Sequence, residues 1–534
     1  MLQDQKVSAG LITLLVDACL SAPQRVLVKF DGIAYSACDV LCRSLFLASM
    51  LADSHEGGVA LYFPNHIDFI TSFFAASALG RTIIPINPLL KASEIEHILA
   101  DCQASTLVFH QSLRHEVESA MAHLGSVRKL VMISDERSVS GAENLLAFGQ
   151  GELSAGSEDR LEPVLRLLSS SRDALDFLSK LAPSVVLAPQ ANDDCLIVYT
   201  SGTTGKPKGA VLSFGGVSYT LDSYPTRFPL SKADRMLAML PFCHLYGLLV
   251  ALVGSIKAGC PLVVMRHFDA ETALDLIEAE KITVLSAVPA MYQFICLAQA
   301  KRARDISSLR LVTCGAAALP RQLHERVEAE LGVPVLEGYA LTESTVIATL
   351  NPLETRKFSS VGPAFPGGKI VCLDESGKIL SSGAENVGEV CLAGPHIMKG
   401  YFRNPEATSE CFQDGWFHTG DLGYLDEDGY LYIVGRKKEL IVRGGMNIYP
   451  REIEDVLHKH PAVADAAVVG IPDQFMGERV KAYVVLKAGA SITTESLKEY
   501  VAERLAEYKV PRLIEFIDCL PRNSTGKVLK RLLV

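Results

Sequence analysis

Ten residues, Thr200-Ser-Gly-Thr-Thr-Gly-Lys-Pro-Lys-Gly209, hold three glycines, four hydroxyls and two lysines. Glycines let a backbone approach a ligand closely, and successive amides in such a loop form a concavity that binds anions. Hydroxyl and ammonium groups add donors and positive charge to it. The stretch reads as a polyphosphate cradle with Thr200, Ser201, Gly202, Thr203, Thr204, Gly205, Lys206 and Lys208 as its contacts. A polar linker is the plainer alternative, but the loop follows Leu196-Ile-Val-Tyr199, which has the character of a buried strand. It is not a P-loop, because Gly205-Lys206 is followed by Pro207 and not by Ser or Thr opening a helix.

Three more clusters carry groups suited to the same ligand. In Gly338-Tyr-Ala-Leu-Thr-Glu343 a hydroxyl stands beside a carboxylate, a pairing that suits Mg²⁺ held by one or two protein oxygens plus phosphates. The Tyr339 ring could stack on a base. Taken alone, Thr342-Glu343 would pass for a helix cap. Trp416-Phe-His-Thr-Gly-Asp421 is followed by Gly435-Arg-Lys-Lys-Glu439. Asp421 suits vicinal ribose hydroxyls, and Arg436 could donate to the same sugar. Ser524-Thr-Gly-Lys527, near the C-terminus, presents a lysine that would by itself be an ordinary solvated side chain.

These groups need a frame. The chain has 534 residues, more than one hydrophobic core sustains. Its 49% hydrophobic and 21% charged content is globular, and a net charge of -10 argues against nucleic acid as a partner. Thirteen scattered cysteines offer no disulfide framework or zinc spacing, so a reducing cytoplasm is expected. The N-terminal run around residues 10–19 contains Asp17 and reads as an amphipathic helix, not a signal. Residues 246–265 are interrupted by Lys257 and Gly259, so no transmembrane segment is expected.

Apolar runs at residues 59–63, 82–86, 106–109, 130–133, 261–264, 283–285 and 309–313 alternate with helical patterns. This implies an α/β fold with helix-covered, mostly parallel sheets. Residues 138–192 are Ser-, Glu- and Gly-rich with a helical stretch at 161–181, and read as a surface excursion. Past Gly415 short strands and turns take over. From Glu439 onward 14 Lys and Arg face 13 Asp and Glu, a net of +1 against -11 for the rest, consistent with a small separate C-terminal domain.

With these motifs in this order from about Val28 to Lys530, the sequence resembles the adenylate-forming superfamily, in its acyl-CoA synthetase branch. The resemblance implies a large N-terminal adenylation domain (1–434) of parallel sheets plus a β-barrel-like subdomain. A hinge (435–438) and a small mobile α+β C-terminal domain (439–534) would follow. It implies ATP and Mg²⁺, with CoA as co-substrate. Glu343 is then the magnesium-associated glutamate, and Thr342 meets the α-phosphate. Gly315, Ala316, Gly338 and Tyr339 border the adenine, Asp421 and Arg436 hold the ribose, and Lys438 is the hinge position. Lys527 bridges the acyl carboxylate and α-phosphate during adenylation, and rotation about the hinge then removes it before the thiol attacks.

His244, in Leu240-Pro-Phe-Cys-His244-Leu-Tyr-Gly247, matches the histidine beside the acyl pocket, and no aspartate stands ready for a substrate ammonium. The expectation is an acid–thiol ligase that activates a medium- or long-chain fatty acid and passes it to CoA. The alternatives are delivery to a phosphopantetheinyl carrier protein, an aryl acid as substrate, or luciferase-like oxygenation; a homodimer stays open. Three positions depart from the pattern: Cys243 before the histidine, Phe214-Gly215-Gly216 where His-x-Asn is frequent, and Ala340 in place of glycine.

Overall fold

The computed structural model describes residues 10–52, 57–122, 124, 126–134, 145–148, 189–200, 207–522 and 528–533. The helical stretch expected at 161–181, loop residues 201–206 and Lys527 lie outside the described residues.

Strands Val59–Tyr62, Ile83–Ile86, Thr106–His110, Val284–Ala287 and Leu311–Cys314 are buried at every position. Strands apolar on both faces require cover on both, which the intervening helices supply. One eight-stranded sheet runs Gly400–Tyr401, Lys208–Ser213, Asp194–Thr200, Ile83–Ile86, Val59–Tyr62, Thr106–His110, Lys129–Ile133, Leu145–Phe148. The other runs Thr349–Leu350, Val335–Tyr339, Leu311–Cys314, Val284–Ala287, Met236–Ala238, Leu262–Val264, Val26–Phe30, Ile33–Ser36. The pairings inside both are parallel, with antiparallel strands at the margins.

Between them helix Ile67–Ala78 is buried on nearly every residue, and its Phe69, Phe73 and Phe74 are fully enclosed. Each such ring contributes about 2–3 kcal/mol by leaving water. The apolar run after His244 forms a π-helix, Tyr246–Val253, with Gly247 to Val253 all buried. Among the described residues no helix is long and apolar enough to cross a membrane.

A third, antiparallel sheet joins Lys369–Leu373, Gly388–Ala393, Trp416–Leu425 and Phe412–Gln413, with Leu431–Arg436 also paired to Trp416–Leu425. Its last strand runs through Gly435 and Arg436, which face Leu422 and Asp421. The turn Lys437–Glu439 then leads to a fourth sheet beginning at Ile441–Arg443. That sheet and helices Pro450–His458 and Thr494–Ala502 enclose a core of their own around Ile441, Ile453, Leu457, Val480 and Val501. Arg451 of the first helix reaches back to donate to the Ile433 carbonyl at 2.6 Å.

Candidate active site

Ligands of open α/β sheets settle beyond the carboxyl ends of the strands. Strands Asp194–Thr200, Met236–Ala238, Leu311–Cys314 and Val335–Tyr339 deliver Thr200, the loop to His244, Gly315 and Thr342 at those ends. Across one antiparallel register Asp421 faces Arg436, whose Nε lies 3.1 Å from Asp421 Oδ1. Tyr339 donates its hydroxyl to Asp421 Oδ2 at 2.6 Å. Asp421 is 4% exposed. Its backbone amide donates to Thr419 Oγ1, and Glu389 receives the Gly420 amide and pairs with Lys437 at 2.9 Å. The carboxylate is thus held on both oxygens, and its backbone is tied down beside it. Burial, followed by the neighbouring Asp421 charge, pushes the Tyr339 phenol well up, so it remains a donor at neutral pH.

Glu343 stands in the turn Thr342–Ser344 and accepts from Tyr401 Oη at 2.8 Å. Lys208 Nζ lies 5.3 Å from the centre of the Tyr401 ring, a cation–π contact. Strand Gly400–Tyr401 belongs to the first sheet, and the turn with Glu343 connects two strands of the second, so this chain of contacts joins the two. The other Glu343 oxygen accepts no hydrogen bond among the described residues. One carboxylate with a free oxygen suits Mg²⁺, which keeps most of its shell as phosphate and water. After the turn, Thr345 and Val346 take φ of 50° and 60°, conformations that β-branched residues rarely hold. Thr345 is pinned there by its hydroxyl on the His396 carbonyl and by Thr220 Oγ1 on its own carbonyl.

Thr200 and Lys208 face each other where the strands before and after residues 201–207 pair. A side chain at Gly315 would lie 3.6 Å from both the Tyr246 ring and the Gly338 carbonyl, so these meet in one place; Ala316 follows with φ of 67°. Tyr246 Oη bonds to Thr313 Oγ1 at 2.7 Å, which in turn bonds to Ser286 Oγ at 2.9 Å. His244, two residues before Tyr246, is pushed down to about 4 by burial and is neutral at pH 7. Its Nε2 is enclosed without a hydrogen-bond partner among the described residues. Lys438 is exposed in the turn Lys437–Glu439, two residues beyond Arg436.

The departures have local causes. Ser213 caps helix Phe214–Ser223 through the Gly216 amide, and a side chain at Gly216 would press on the Pro395 carbonyl at 3.1 Å. Cys243 is 4% exposed and its thiol is pushed up to about 12 by burial, so it acts as a small apolar filler. Nothing in the structure explains Ala340.

The profile of the AMP-binding enzyme family matches residues 15–402, and that of the AMP-binding enzyme C-terminal domain matches residues 452–527. The chain belongs to the AMP-binding enzyme family. Within it the chain is an AMP-forming acyl-CoA synthetase. It is 31% identical to the long-chain-fatty-acid–CoA ligase of Bacillus subtilis (strain 168), over 98% of this chain and 93% of that one. It is 35% identical to the indoleacetate–CoA ligase of Aromatoleum aromaticum, over 91% of this chain and 89% of that one. ATP-bound MatB from Rhodopseudomonas palustris superposes with a TM-score of 0.84 at 30% identity, covering 98% of each chain.

Two residues of this synthetase stand at the site without having drawn notice in the sequence. Tyr401 touches both Glu343 and Lys208, yet in Met398-Lys-Gly-Tyr401 nothing local marks it. Glu337, on the strand that carries Tyr339, is 2% exposed. Its Oε1 receives one long bond from the Leu319 amide at 3.3 Å, and Oε2 has no partner among the described residues. Burial pushes its carboxyl up to about 7, with Arg451 opposing and Asp455 adding to the rise.

Proposed function

We propose that this synthetase activates a medium- or long-chain fatty acid with ATP and transfers the acyl group to CoA in the cytoplasm. The single observation that supports an ATP site is the junction of the two sheets. There Lys208, Tyr401 and Glu343 stand in contact, and the Tyr339–Asp421–Arg436 cluster shares the strand that leads to Glu343. In this reading Asp421 and Arg436 hold the ribose, Gly315, Ala316 and Tyr339 border the adenine, and residues 200–208 cradle the polyphosphate. Mg²⁺ on Glu343 would supply charge to balance the phosphates.

The acid arrives ionised, so no general base is needed. Its carboxylate oxygen attacks the α-phosphorus, and the bond to the pyrophosphate oxygen breaks, giving acyl-AMP and pyrophosphate. Lys527, Lys208 and the Thr342 hydroxyl offset the repulsion between the two anions, a contribution worth about 10²–10³-fold per well-placed donor. The CoA thiol, releasing its proton to solvent, then attacks the acyl carbon, and AMP leaves with the electron pair of the broken C–O bond. We divide the chain at residues 435–438 and take Lys438 as the pivot that withdraws Lys527 for this second step.

The fatty acid is favoured by the uncharged surroundings of His244: a neutral imidazole followed by the wholly apolar Leu248–Leu249–Val250 run. The Bacillus subtilis relative agrees with that choice. An aryl acid is the second reading, favoured by the Tyr246 phenol beside Gly315, which sets a flat ring with a hydroxyl network behind it at one wall. Pyrophosphate release with ATP and a panel of C8–C18 fatty acids, arylacetates and hydroxycinnamates decides between them. Turnover confined to aryl acids would replace the first reading, and no release with any acid would overturn both. Offering CoA and a phosphopantetheinylated carrier side by side tests the acceptor.

A further inference from the structure

The segment that bears Lys527 continues into the turn Lys530–Leu532. Lys530 is largely enclosed, with 19% of its side chain exposed, and its ammonium contacts two carboxylates. Glu454 Oε1, on helix Pro450–His458, lies 2.7 Å away, and Glu439 Oε2 lies 3.2 Å away. Glu454 also accepts the Val468 amide at 2.8 Å, so it is anchored to the sheet. Glu439 closes the turn Lys437–Glu439, the first residue past Lys438. Burial opposes the charge on Lys530, but Glu454 and then Glu439 outweigh it and hold the ammonium above the ordinary lysine range.

The other flank of the segment is fixed as well. Arg522 pairs with Asp465 and bridges Val528, and the Leu529 amide donates to the Pro521 carbonyl at 2.8 Å. None of these ties touches the turn after Arg436. Lys530–Glu439 does.

We propose that Lys530 is a positioning residue for adenylation, tying the segment that carries Lys527 to Glu439 at the exit of the hinge. Glu439, Glu454 and Lys530 all lie beyond the pivot, so the tie fixes the C-terminal end of that segment against the turn that leaves Lys438. The inference rests on the assignment of Lys527 to adenylation. Lysine suits this role because one compact ammonium can satisfy two carboxylates approaching from different elements.

The test measures the two half-reactions separately on full-length enzyme: pyrophosphate release from ATP and acid, and thioester formation from supplied acyl-AMP and CoA. Lys530→Gln is expected to lower the kcat of adenylation about tenfold with KM for ATP unchanged, leave thioester formation within about twofold, and be largely restored by Lys530→Arg. Because Lys530→Gln strands two carboxylates, Glu439→Gln serves as the gentler variant. It keeps the Glu454 pair and should show the same one-sided loss, without a further loss when combined with Lys530→Gln. Equal losses in both half-reactions, or no loss in either for Glu439→Gln, would overturn the role. Lys527→Ala, run in parallel, reports separately on the underlying assignment. If it spares adenylation, that assignment fails and the positioning role falls with it, whatever the Lys530 variants do.

Discussion

Two carboxylates, both almost wholly shielded from water, stand on strands of two different sheets and have opposite surroundings. Asp421, on Trp416–Leu425, has a guanidinium at 3.1 Å and a phenol at 2.6 Å. Glu337, on Val335–Tyr339, has one long amide bond and an oxygen with no partner among the described residues. A buried charge persists when it is paired and hydrogen-bonded, and otherwise the group takes up a proton. Asp421 has a guanidinium and a hydroxyl donor holding both of its oxygens. Glu337 is poised to be a neutral acid at the edge of physiological pH. Proximity in the fold does not assign a role; partners do.

The largest effect expected from breaking this contrast is at the paired carboxylate. Asp421→Ala strands Arg436 and the Tyr339 hydroxyl and should lower kcat/KM for ATP by about 100-fold, roughly 3 kcal/mol. Steady-state kinetics at varied ATP check it, and a loss below about threefold would remove Asp421 from nucleotide binding.

At Glu337 the effect is on stability and depends on pH. Between 4.5, its ordinary value, and about 7 the folded chain holds a proton that the unfolded chain has released. Stability therefore falls as pH rises through that window. Glu337→Gln should flatten the fall, by at most about 3 kcal/mol since each unit of displacement is worth about 1.4. Its melting temperature should match the parent near pH 5 and exceed it near pH 8. An identical slope in both proteins would mean that Glu337 finds a partner in solution.

Glu343, with a single side-chain partner among the described residues, stands between the two cases. Tyr401→Phe removes that bond and should cost about 1 kcal/mol, or fivefold in adenylation rate, with a rise in the Mg²⁺ needed for half-maximal activity. An unchanged Mg²⁺ requirement would show that Tyr401 does not orient the carboxylate.

The sequence disclosed the groups that carry charge in short, dense motifs, and it disclosed the strands, because continuous apolar runs at residues 59–63 and 106–109 leave a parallel sheet as their natural home. It set Asp421 and Arg436 on one sugar but did not disclose their direct contact, nor any contact of Tyr401. That Asp421 meets Arg436 depends on an antiparallel register, and that Tyr401 meets Glu343 depends on two separate sheets closing on each other. Glu337 was silent for the same reason. A lone glutamate in Val335-Leu-Glu-Gly carries no local sign of burial, yet burial is what raises it, with Arg451 and the Leu319 amide opposing and Asp455 adding, all distant along the chain.

Thr345 and Val346, held at positive φ just beyond Glu343, imply a trade written into the backbone. Each such residue costs on the order of 1–2 kcal/mol that glycine would not. Val346→Gly should therefore raise the melting temperature while widening the angular spread of the neighbouring carboxylate and slowing turnover. In evolutionary terms the two residues mark a place where this chain has stayed short of its own stability optimum, keeping a rigid aim in preference to a relaxed loop.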